Sequence, residues 1–290
     1  MFDGFAELQV KTDEATIFTR VGGSGPPLLL LHGYPQTHAI WHKIAPALAE
    51  HFTVVAADLR GYGDSSKPAS DERHEPYSKR AMARDQVAVM RHFGFERFML
   101  AGHDRGGRVA HRLTLDHPEA VERVAVLDIV PTHKLFATVN KAVASGYYHW
   151  FFLIQGNGLP EHLIGADPEF YLNVKMGLWS GDGFRFADEA WAEYLRCFSD
   201  PAMIHASCED YRAAASIDLE HDEADMDRKI DCPLLVLWGE RGLVEKEYDV
   251  LETWRERAAD VRGSALPCGH YLPEEAPDAT LEQMLGFFTG

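Results

Sequence analysis

The stretch Phe98-Met-Leu-Ala-Gly-His-Asp-Arg-Gly-Gly-Arg108 decides how the chain folds. An apolar run at residues 98–101 leads into it, and a helical pattern continues from Gly107. This order predicts a buried strand, a sharp turn and a helix. In turns of this kind, small residues flank a side chain that is held at the carboxyl edge of a parallel sheet. The side chain here is Asp104, and a carboxylate can attack carbon without a base to remove its proton.

Apolar runs alternate with helical patterns on both sides of this stretch. Residues 7–20 alternate apolar and polar side chains, which predicts two antiparallel strands. The later runs are continuously apolar, as in strands covered on both faces, and lie at residues 28–31, 52–57, 124–129 and 233–239. Such alternation predicts an α/β fold with a mostly parallel, doubly wound sheet. Functional residues are expected at the carboxyl ends of its strands.

The strand signal stops after the sixth predicted strand. Residues 132–222 are rich in aromatic side chains at helical spacing, which predicts a helical insertion that covers the sheet edge. We therefore expect two domains, a core made of residues 1–131 and 223–290 and a helical cap at 132–222. The acidic segment 218–231 is predicted to be a solvated return to the core.

The amino-acid composition and the net charge make some classes of function and partner unfavourable. The 290 residues are 46% hydrophobic and carry a net charge of −17, which disfavours nucleic acid and anionic membranes as partners. The longest apolar run, residues 26–31, is too short to span a bilayer, and the N-terminus lacks a signal-peptide pattern, so we expect a cytoplasmic protein. Four scattered cysteines predict free thiols. A small anionic substrate would need local cations to hold it.

Asp104 alone could be a helix N-cap. It comes, however, with His270 in a Cys-Gly-His loop near the C-terminus, and a hydrolase of this arrangement needs an acid to orient that histidine. After the 233–239 strand, the position where an aspartate is expected holds Gly242. Asp128, at the end of the preceding strand, would be a buried carboxylate in need of a partner, and His270 is the best candidate. Glu240 remains the alternative.

Several motifs together resemble the α/β-hydrolase family, over nearly the entire chain. They are His-Gly-Tyr-Pro at 32–35, Asp-Leu-Arg-Gly-Tyr-Gly-Asp-Ser at 58–65, the Gly-His-Asp turn, Asp128 and the late Gly-His. The resemblance implies the α/β-hydrolase fold with a helical cap inserted after the sixth strand. Within that family, an aspartate nucleophile limits the choice to dehalogenases and epoxide hydrolases.

The residues after the nucleophile separate these groups. Those relatives commonly carry Trp directly after the nucleophile. This chain instead has Arg105 at that position and Arg108 three residues further on. This pattern resembles the haloacetate dehalogenases, including the fluoroacetate dehalogenases. The two arginines share one face of the first helical turn and could bind a substrate carboxylate bidentately, with the halogen-bearing carbon facing Asp104. Alternatively, one arginine points to solvent or pairs with a structural acid.

The resemblance also assigns roles in the cap. His149, Trp150 and Tyr211 match halide-binding positions, and their N–H and O–H groups could solvate a departing halide in a dry pocket. Without the resemblance, an aromatic stripe in a cap would be interpreted as packing. The other cap aromatics are assigned to the core, and His32 and His103 to loop conformation.

These assignments imply hydrolysis in two steps. Asp104 displaces halide from a 2-haloacid to form an ester, and His270, oriented by Asp128, activates the water that hydrolyses it. The backbone N–H groups of Tyr34 and Arg105 would hold the oxyanion. No metal, nucleotide or redox cofactor is expected, and the product from a haloacetate is glycolate.

Two other functions stay open. An epoxide hydrolase would use the same Asp and His with cap tyrosines, of which Tyr147, Tyr148 and Tyr211 are present. A neutral epoxide has no use for Arg105 and Arg108. A non-catalytic receptor on this fold is the second alternative, against which the complete Asp, His and Asp set argues. A homodimer is common among relatives and could form here.

Overall fold

The computed structural model describes all residues from Met1 to Gly290. Eight strands form one sheet in the order β1-β2-β4-β3-β5-β6-β7-β8. Their bounds are Ala6–Lys11 (β1), Thr16–Gly22 (β2), Pro27–Leu31 (β3), Thr53–Ala57 (β4), Phe98–His103 (β5), Val121–Leu127 (β6), Leu234–Gly239 (β7) and Val261–Leu266 (β8). The β1–β2 and β2–β4 pairs are antiparallel and all others are parallel, so the predicted mostly parallel sheet is confirmed.

Fifteen α-helices and two short 3₁₀ helices, His38–Trp41 and Glu75–Tyr77, complete the fold. The core helices are Ala45–Leu48 (α1), Lys79–His92 (α2), Arg105–Asp116 (α3), Leu243–Glu247 (α12), Val250–Arg255 (α13), Leu272–Glu275 (α14) and Pro277–Thr289 (α15). Those between β6 and β7 are Thr132–Ala137 (α4), Lys141–Gly146 (α5), Tyr148–Phe152 (α6), Leu159–Ala166 (α7), Pro168–Gly177 (α8), Asp188–Phe198 (α9), Pro201–Ala214 (α10) and Ile217–Ala224 (α11). None of the helices is long and apolar enough to cross a membrane.

Both faces of the sheet are covered by helices. Successive side chains of a strand point to opposite faces, so Leu28 and Leu30 pack in a core with α1 and α15. Leu29 and Leu31 pack on the other face with α2, α3 and α13. The four leucines of β3 are therefore all buried, which explains why this strand is continuously apolar and confirms the doubly wound arrangement.

The chain between β6 and β7 is helical, with no strand among α4 to α11. Its buried aromatic side chains, such as Trp150 and Tyr211, belong to the same apolar cluster as the sheet face that bears Leu29 and Leu31. The expected cap boundary at residue 222 falls inside α11, and the division into two domains stays a prediction.

The acidic return segment differs from the prediction, because three of its carboxylates are buried. Asp218, Asp222 and Asp225 lie on α11 and its C-cap at a spacing of four and three residues, so they share one face of the helix. That face turns inward. Arg112 of α3 donates hydrogen bonds to Asp222 at 3.0 Å and to Asp225, and the Lys79 N–H donates to Asp218 at 2.8 Å. Helical spacing, rather than total charge, decides which acids are solvated.

Candidate active site

Asp104 directly follows β5, and its backbone has an unusual conformation in a tightly packed turn. Its φ is +46° and its ψ is −113°, a sparsely populated conformation for a non-glycine residue. The neighbouring glycines leave no room for a side chain: a Cβ on Gly102 would lie 2.3 Å from the Gly106 oxygen, and one on Gly33 2.4 Å from the Asp104 Cβ. These close approaches fix the carboxylate at the carboxyl end of the sheet.

The loop after β3 supplies a donor to this carboxylate. The backbone N–H of Tyr34 donates to Asp104 Oδ1 at 2.9 Å. Burial alone would raise the pKa of Asp104, but His270, His103 and the two arginines of α3 outweigh it and hold that pKa below its usual value. Asp104 is therefore ionised at neutral pH, the state that the predicted nucleophilic role would require.

His270 lies on the loop after β8 and contacts Asp128 at the end of β6. Its Nδ1 is 2.6 Å from Asp128 Oδ2, and the other carboxylate oxygen accepts a hydrogen bond from the Gly239 N–H at 2.9 Å. Because an ionised carboxylate only accepts, Nδ1 carries the proton and Nε2 is left with a free lone pair. Nε2 is buried and has no partner in the protein. Glu240, the alternative acid, is exposed and lies near Arg241.

The carboxylate of Glu275 holds the histidine loop. Its oxygens accept hydrogen bonds from the backbone N–H groups on both sides of His270, those of Gly269 and Tyr271, each at 2.8 Å. One of these oxygens also accepts from the Gly181 N–H at 2.7 Å, in the segment after α8. A single side chain thus connects the histidine loop to the helical insertion, and nothing in the sequence pattern singled it out.

Trp179 is a second residue that sequence reasoning missed, since it was assigned to cap packing. Its ring makes edge contacts with His270 and His149, with centroids 4.5 and 4.6 Å apart. Its carbonyl oxygen accepts the His270 N–H at 2.9 Å. The helical insertion therefore contacts the histidine through both a ring and a backbone group.

Arg105 pairs with a structural acid, one of the two outcomes left open above. Its Nε and Nη2 donate to the two carboxylate oxygens of Asp210 at 2.8 and 2.7 Å. Lys79 and the Tyr62 hydroxyl share the same carboxylate. Nη1 of Arg105 remains buried without a partner, so one edge of this guanidinium is still free for a ligand.

Arg108 is buried without a carboxylate partner. Its Nη1 donates to the Val130 carbonyl oxygen at 2.8 Å and to the Thr132 hydroxyl at 3.1 Å, while its Nε has no partner. The guanidinium carbon lies 4.4 Å from the centroid of the Trp150 ring. Burial and the neighbouring Arg105 lower the pKa of Arg108. Two buried donors, one from each arginine, are therefore unsatisfied within one turn of Asp104.

The three residues expected to bind halide lie together. His149 Nε2 is 3.1 Å from the Tyr211 hydroxyl, and the rings of Trp150 and Tyr211 meet edge to face at 5.3 Å. All three are buried. Burial lowers the pKa of His149 well below its usual value, so this imidazole is neutral. The ring of Tyr34 stacks on His149 at 5.8 Å, which places the group beside the loop that holds Asp104.

A cavity of about 260 Å³ opens between the sheet edge and the helical insertion. Asp128, His270 and Trp179 line it, and the exposed Arg241 and Lys246 stand at its side. Asp104, Arg105 and Arg108 do not line this cavity. Because the Trp179 ring contacts both the cavity and His149, it separates the open space from the buried polar groups.

The other two loop histidines, His32 and His103, form hydrogen bonds with backbone groups of the neighbouring loops. His32 Nε2 accepts a hydrogen bond from the Leu59 N–H at 3.0 Å, so its Nδ1 donates to the Gly33 carbonyl oxygen. His103 Nε2 donates to the His270 carbonyl oxygen at 2.8 Å.

The parallel sheet, the turn at Asp104 and the histidine loop at the same sheet edge are those of an α/β-hydrolase, and the chain belongs to this family. The model of the α/β-hydrolase fold matches residues 26–277. At 48% identity, with 100% of this chain and 95% of the relative covered, the sequence is similar to fluoroacetate dehalogenase from Burkholderia sp.. It is 36% identical to a soluble epoxide hydrolase from Corynebacterium sp. (strain C12), with 92% and 91% covered. The crystal structure of an α/β-hydrolase from Nostoc sp. PCC 7120 superposes with a TM-score of 0.99 at 62% identity, covering 100% and 99% of the two chains.

Proposed function

We propose that the protein is a haloacetate dehalogenase, which hydrolyses the carbon–halogen bond of a small 2-haloacid such as fluoroacetate or chloroacetate to give glycolate and halide. The observation that carries this proposal is Arg108, which is 4% exposed and has no carboxylate partner, one helical turn from Asp104. An uncompensated buried charge costs several kcal/mol. A substrate carboxylate would remove this cost, whereas a neutral epoxide would not.

The free donors define how the substrate binds. Arg105 Nη1 and Arg108 Nε would donate to the two carboxylate oxygens, which is the planar recognition that guanidinium groups favour. Asp210 keeps the Arg105 side chain in place through its other two nitrogens. The carbon next to the substrate carboxylate would then face Asp104 at the reacting distance.

In the first step, Asp104 Oδ2 attacks this carbon. The new C–O bond forms as the carbon–halogen bond breaks, and its electron pair leaves with the halide. Because the Tyr34 N–H already holds Oδ1, Oδ2 is the oxygen available for attack. His149, Trp150 and Tyr211 would receive the halide through their N–H and O–H groups in a pocket without competing water.

In the second step, His270 Nε2 takes a proton from water, and the hydroxide attacks the ester carbonyl carbon of Asp104. The hydrogen bond from Nδ1 to Asp128 stabilises the imidazolium that forms. The oxyanion develops on Oδ1, where the Tyr34 N–H is in place and the Arg105 N–H is the second expected donor. Collapse of this intermediate breaks the ester C–O bond, and the proton held by His270 passes to the leaving alkoxide to give the 2-hydroxy acid. The carboxyl group of Asp104 then loses its remaining proton to water, which restores the carboxylate.

Epoxide hydrolysis is the competing function, since a relative named as a soluble epoxide hydrolase is 36% identical. Tyr147 and Tyr211 are buried in the helical insertion and could protonate an epoxide oxygen. The hydroxyl of Tyr211 is already 3.1 Å from His149 Nε2. A non-catalytic receptor would leave the hydrogen-bonded His270 and Asp128 pair without a purpose.

Halide release from fluoroacetate, chloroacetate and bromoacetate tests the proposal, with Arg108→Met as the first variant. Loss of a charge-assisted carboxylate contact in a buried site should lower kcat/KM by about 100-fold, mainly through KM. Arg91→Met, which removes an exposed arginine near Glu96, is the control and should retain wild-type kinetics. Turnover of styrene oxide with no halide release from any haloacetate would replace the proposal with the epoxide hydrolase.

The ester intermediate gives an independent test. His270→Asn should release one equivalent of halide and then stop, with the substrate fragment attached to Asp104 and detected by peptide mass spectrometry. Halide release without any adduct on Asp104 would contradict the two-step scheme.

A further inference from the structure

Lys79 is the first residue of α2 and a buried cation in an unfavourable place. It is 3% exposed and lies in the first turn of the helix, where the helix dipole disfavours positive charge. Its ammonium donates a hydrogen bond to Asp210, and Asp218 Oδ2 lies 3.8 Å from the same nitrogen. Because these two carboxylates compensate the burial of the charge, the role of Lys79 depends on what the carboxylates contact.

Asp210 connects Lys79 to Arg105. Arg105 Nε and Nη2 donate to its two oxygens, and the Tyr62 hydroxyl donates to Oδ2 at 2.6 Å. Burial alone would raise the pKa of Asp210, but Arg105 and Lys79 outweigh it and hold that pKa well below its usual range. The Arg105 guanidinium keeps one free nitrogen, Nη1, which is buried without a partner. Lys79 is thus linked through one carboxylate to the group expected to bind the substrate.

Buried charges of opposite sign alternate along these contacts and form a set that we name the charge row. Its members are Arg105, Asp210, Lys79 and Asp218, each at most 4% exposed. Burial and Arg105 lower the pKa of Lys79, and the two carboxylates oppose this shift. Because it donates to an ionised carboxylate, Lys79 is an ammonium.

Asp218 ends the charge row. Burial raises the pKa of Asp218, and the Lys79 ammonium opposes this shift. Its Oδ1 accepts the backbone N–H of Lys79 at 2.8 Å, at the helix end that favours a negative charge. With Asp218 ionised, the row holds two cations and two anions and carries no net charge.

The charge of Lys79 determines how the charge row receives an arriving substrate. Without this ammonium, the row would carry one net negative charge next to the place where Arg105 Nη1 would meet the substrate carboxylate. Like charges repel, and at a buried position salt screens that repulsion only weakly. Lys79 therefore balances Asp210, while Asp210 holds Arg105.

We propose that Lys79 is a positioning residue for carboxylate recognition. It acts through Asp210, which it fixes and whose charge it cancels, so that Nη1 of Arg105 is presented to the substrate. The inference rests on the proposed dehalogenase function and adds a group from α2 to the two arginines of α3. Because Lys79 contacts Asp210 rather than a reacting group, it should affect substrate binding and not bond breaking.

Acetate binding to the intact protein tests the inference without turnover. Acetate has the carboxylate of a haloacetate and no leaving group. The Trp150 ring lies against both arginines of α3, so tryptophan fluorescence can report its binding. Lys79→Met should raise the acetate Kd by about 10-fold, because a net negative charge then opposes the anion. The matched control, Tyr62→Phe, removes a neutral donor from the same carboxylate, and its acetate Kd should stay within about threefold of the wild type.

Two outcomes of this titration would overturn the inference. One is an acetate Kd in Lys79→Met that equals that of the wild type. The other is an equal loss of affinity in Tyr62→Phe, which would show that any lost hydrogen bond to Asp210 has the same effect as the lost charge.

Two variants of Asp218 keep the test decisive even if Lys79→Met does not fold. Asp218→Asn retains the contact between Lys79 and Asp210 and gives the charge row one net positive charge, so it should lower the acetate Kd by about threefold. The double variant Lys79→Met/Asp218→Asn returns the net charge to zero and should recover most of the affinity lost in Lys79→Met. Unchanged or weaker binding in Asp218→Asn, or a double variant as weak as Lys79→Met, contradicts the inference.

Turnover of chloroacetate separates binding from chemistry. Lys79→Met should raise KM by about 10-fold and leave kcat within about threefold of the wild type. A lower kcat at an unchanged KM would place Lys79 in the chemical step and overturn the inference. If acetate binding weakens as expected in a protein that releases no halide from any haloacetate, Lys79 remains a positioning residue and the dehalogenase function is rejected.

Discussion

Glu274 is a buried acid whose protonation links stability to pH. It is 1% exposed, and one of its oxygens accepts a hydrogen bond from Gln36 Nε2 at 2.6 Å. Burial raises the pKa of its carboxyl to about 8. The folded protein therefore holds a proton that the unfolded chain releases above its ordinary pKa of about 4.3. Since the folded state binds more protons, the free energy of unfolding falls as pH rises from that value to about 8.

Glu274→Gln should remove this pH dependence. The amide keeps the size of the side chain and carries no charge, so the free energy of unfolding should fall less between pH 5.5 and 8.5 than in the wild type. The expected difference is about 1.4 kcal/mol for each pH unit within the titration window. Urea unfolding at several pH values measures it. Glu256→Gln, at an exposed position, is the control, and equal slopes for both variants would contradict the prediction.

At the residue scale, sequence reasoning reached the groups that local motifs mark. Asp104 is marked by its glycines, and His270 by the loop that follows the last strand. The partners of these groups depend on contacts across the fold. Asp210 lies 105 residues from Arg105, and no periodicity links the two. Trp179 was equally hidden, because nothing in the sequence separates it from the other aromatic residues of the helical insertion.

Helix α14 shows how one element positions the site. It begins two residues after His270 and ends at Glu275. The Glu275 carboxylate accepts hydrogen bonds from the backbone N–H groups of Gly269, Tyr271 and Gly181. An unsatisfied N–H group costs about 1–3 kcal/mol when it is buried. The carboxylate therefore fixes the backbone of the histidine loop, and it does so independently of the hydrogen bond between His270 and Asp128.

Glu275→Ala should slow ester hydrolysis more than ester formation. With a looser loop, His270 would be misplaced for water activation, and kcat should fall about 10-fold or more with a smaller change in KM. Rapid-quench mass spectrometry should then show the Asp104 ester accumulating during turnover. Glu282→Ala, an exposed residue of α15, serves as the comparison. A wild-type kcat in Glu275→Ala would show that the loop holds its shape without the carboxylate.

Helices and strands could be predicted from the sequence where a single requirement, such as burial on both faces, determines the residue pattern. The continuously apolar strands β3 and β7 followed from burial on both faces. By contrast, the pattern of residues 41–50 is typical of a single helix, but the chain forms a 3₁₀ helix that ends at Trp41 and then the four-residue α1. Pro46 favours a helix start at that point, since proline fits the first turn. Trp41, the last residue of the 3₁₀ helix, is fully buried.

For the whole molecule, Arg112 connects α3 to the end of the helical insertion. It lies on α3, which starts directly after Asp104, and contacts Asp222, Asp225 and Asp116. The buried acids of α11 thus attach the return segment to the core. Removing one member of a buried network leaves the remaining charges uncompensated.

Arg112→Met should therefore destabilise the whole protein. We expect the free energy of unfolding to fall by about 3 kcal/mol or more, because two of the partner carboxylates are largely buried. Urea unfolding monitored by circular dichroism measures the change. Arg97→Met provides a matched control, since Arg97 faces Glu122 on the surface, and its effect should stay within about 0.5 kcal/mol. Similar losses in the two variants would argue against the attachment.

The glycine at position 242 has a consequence for how such a protein can change. Because His270 contacts Asp128 directly after β6, the segment after β7 carries no partner of the histidine, and it lines the cavity through Arg241, Gly242 and Leu243. A side chain at Gly242 would place its Cβ 3.5 Å from Asp128 Oδ1, whereas Arg241 and Leu243 form the cavity wall away from that carboxylate. A library confined to positions 241 and 243 would therefore vary the shape and charge of the cavity while Gly242 keeps the pair of His270 and Asp128 intact.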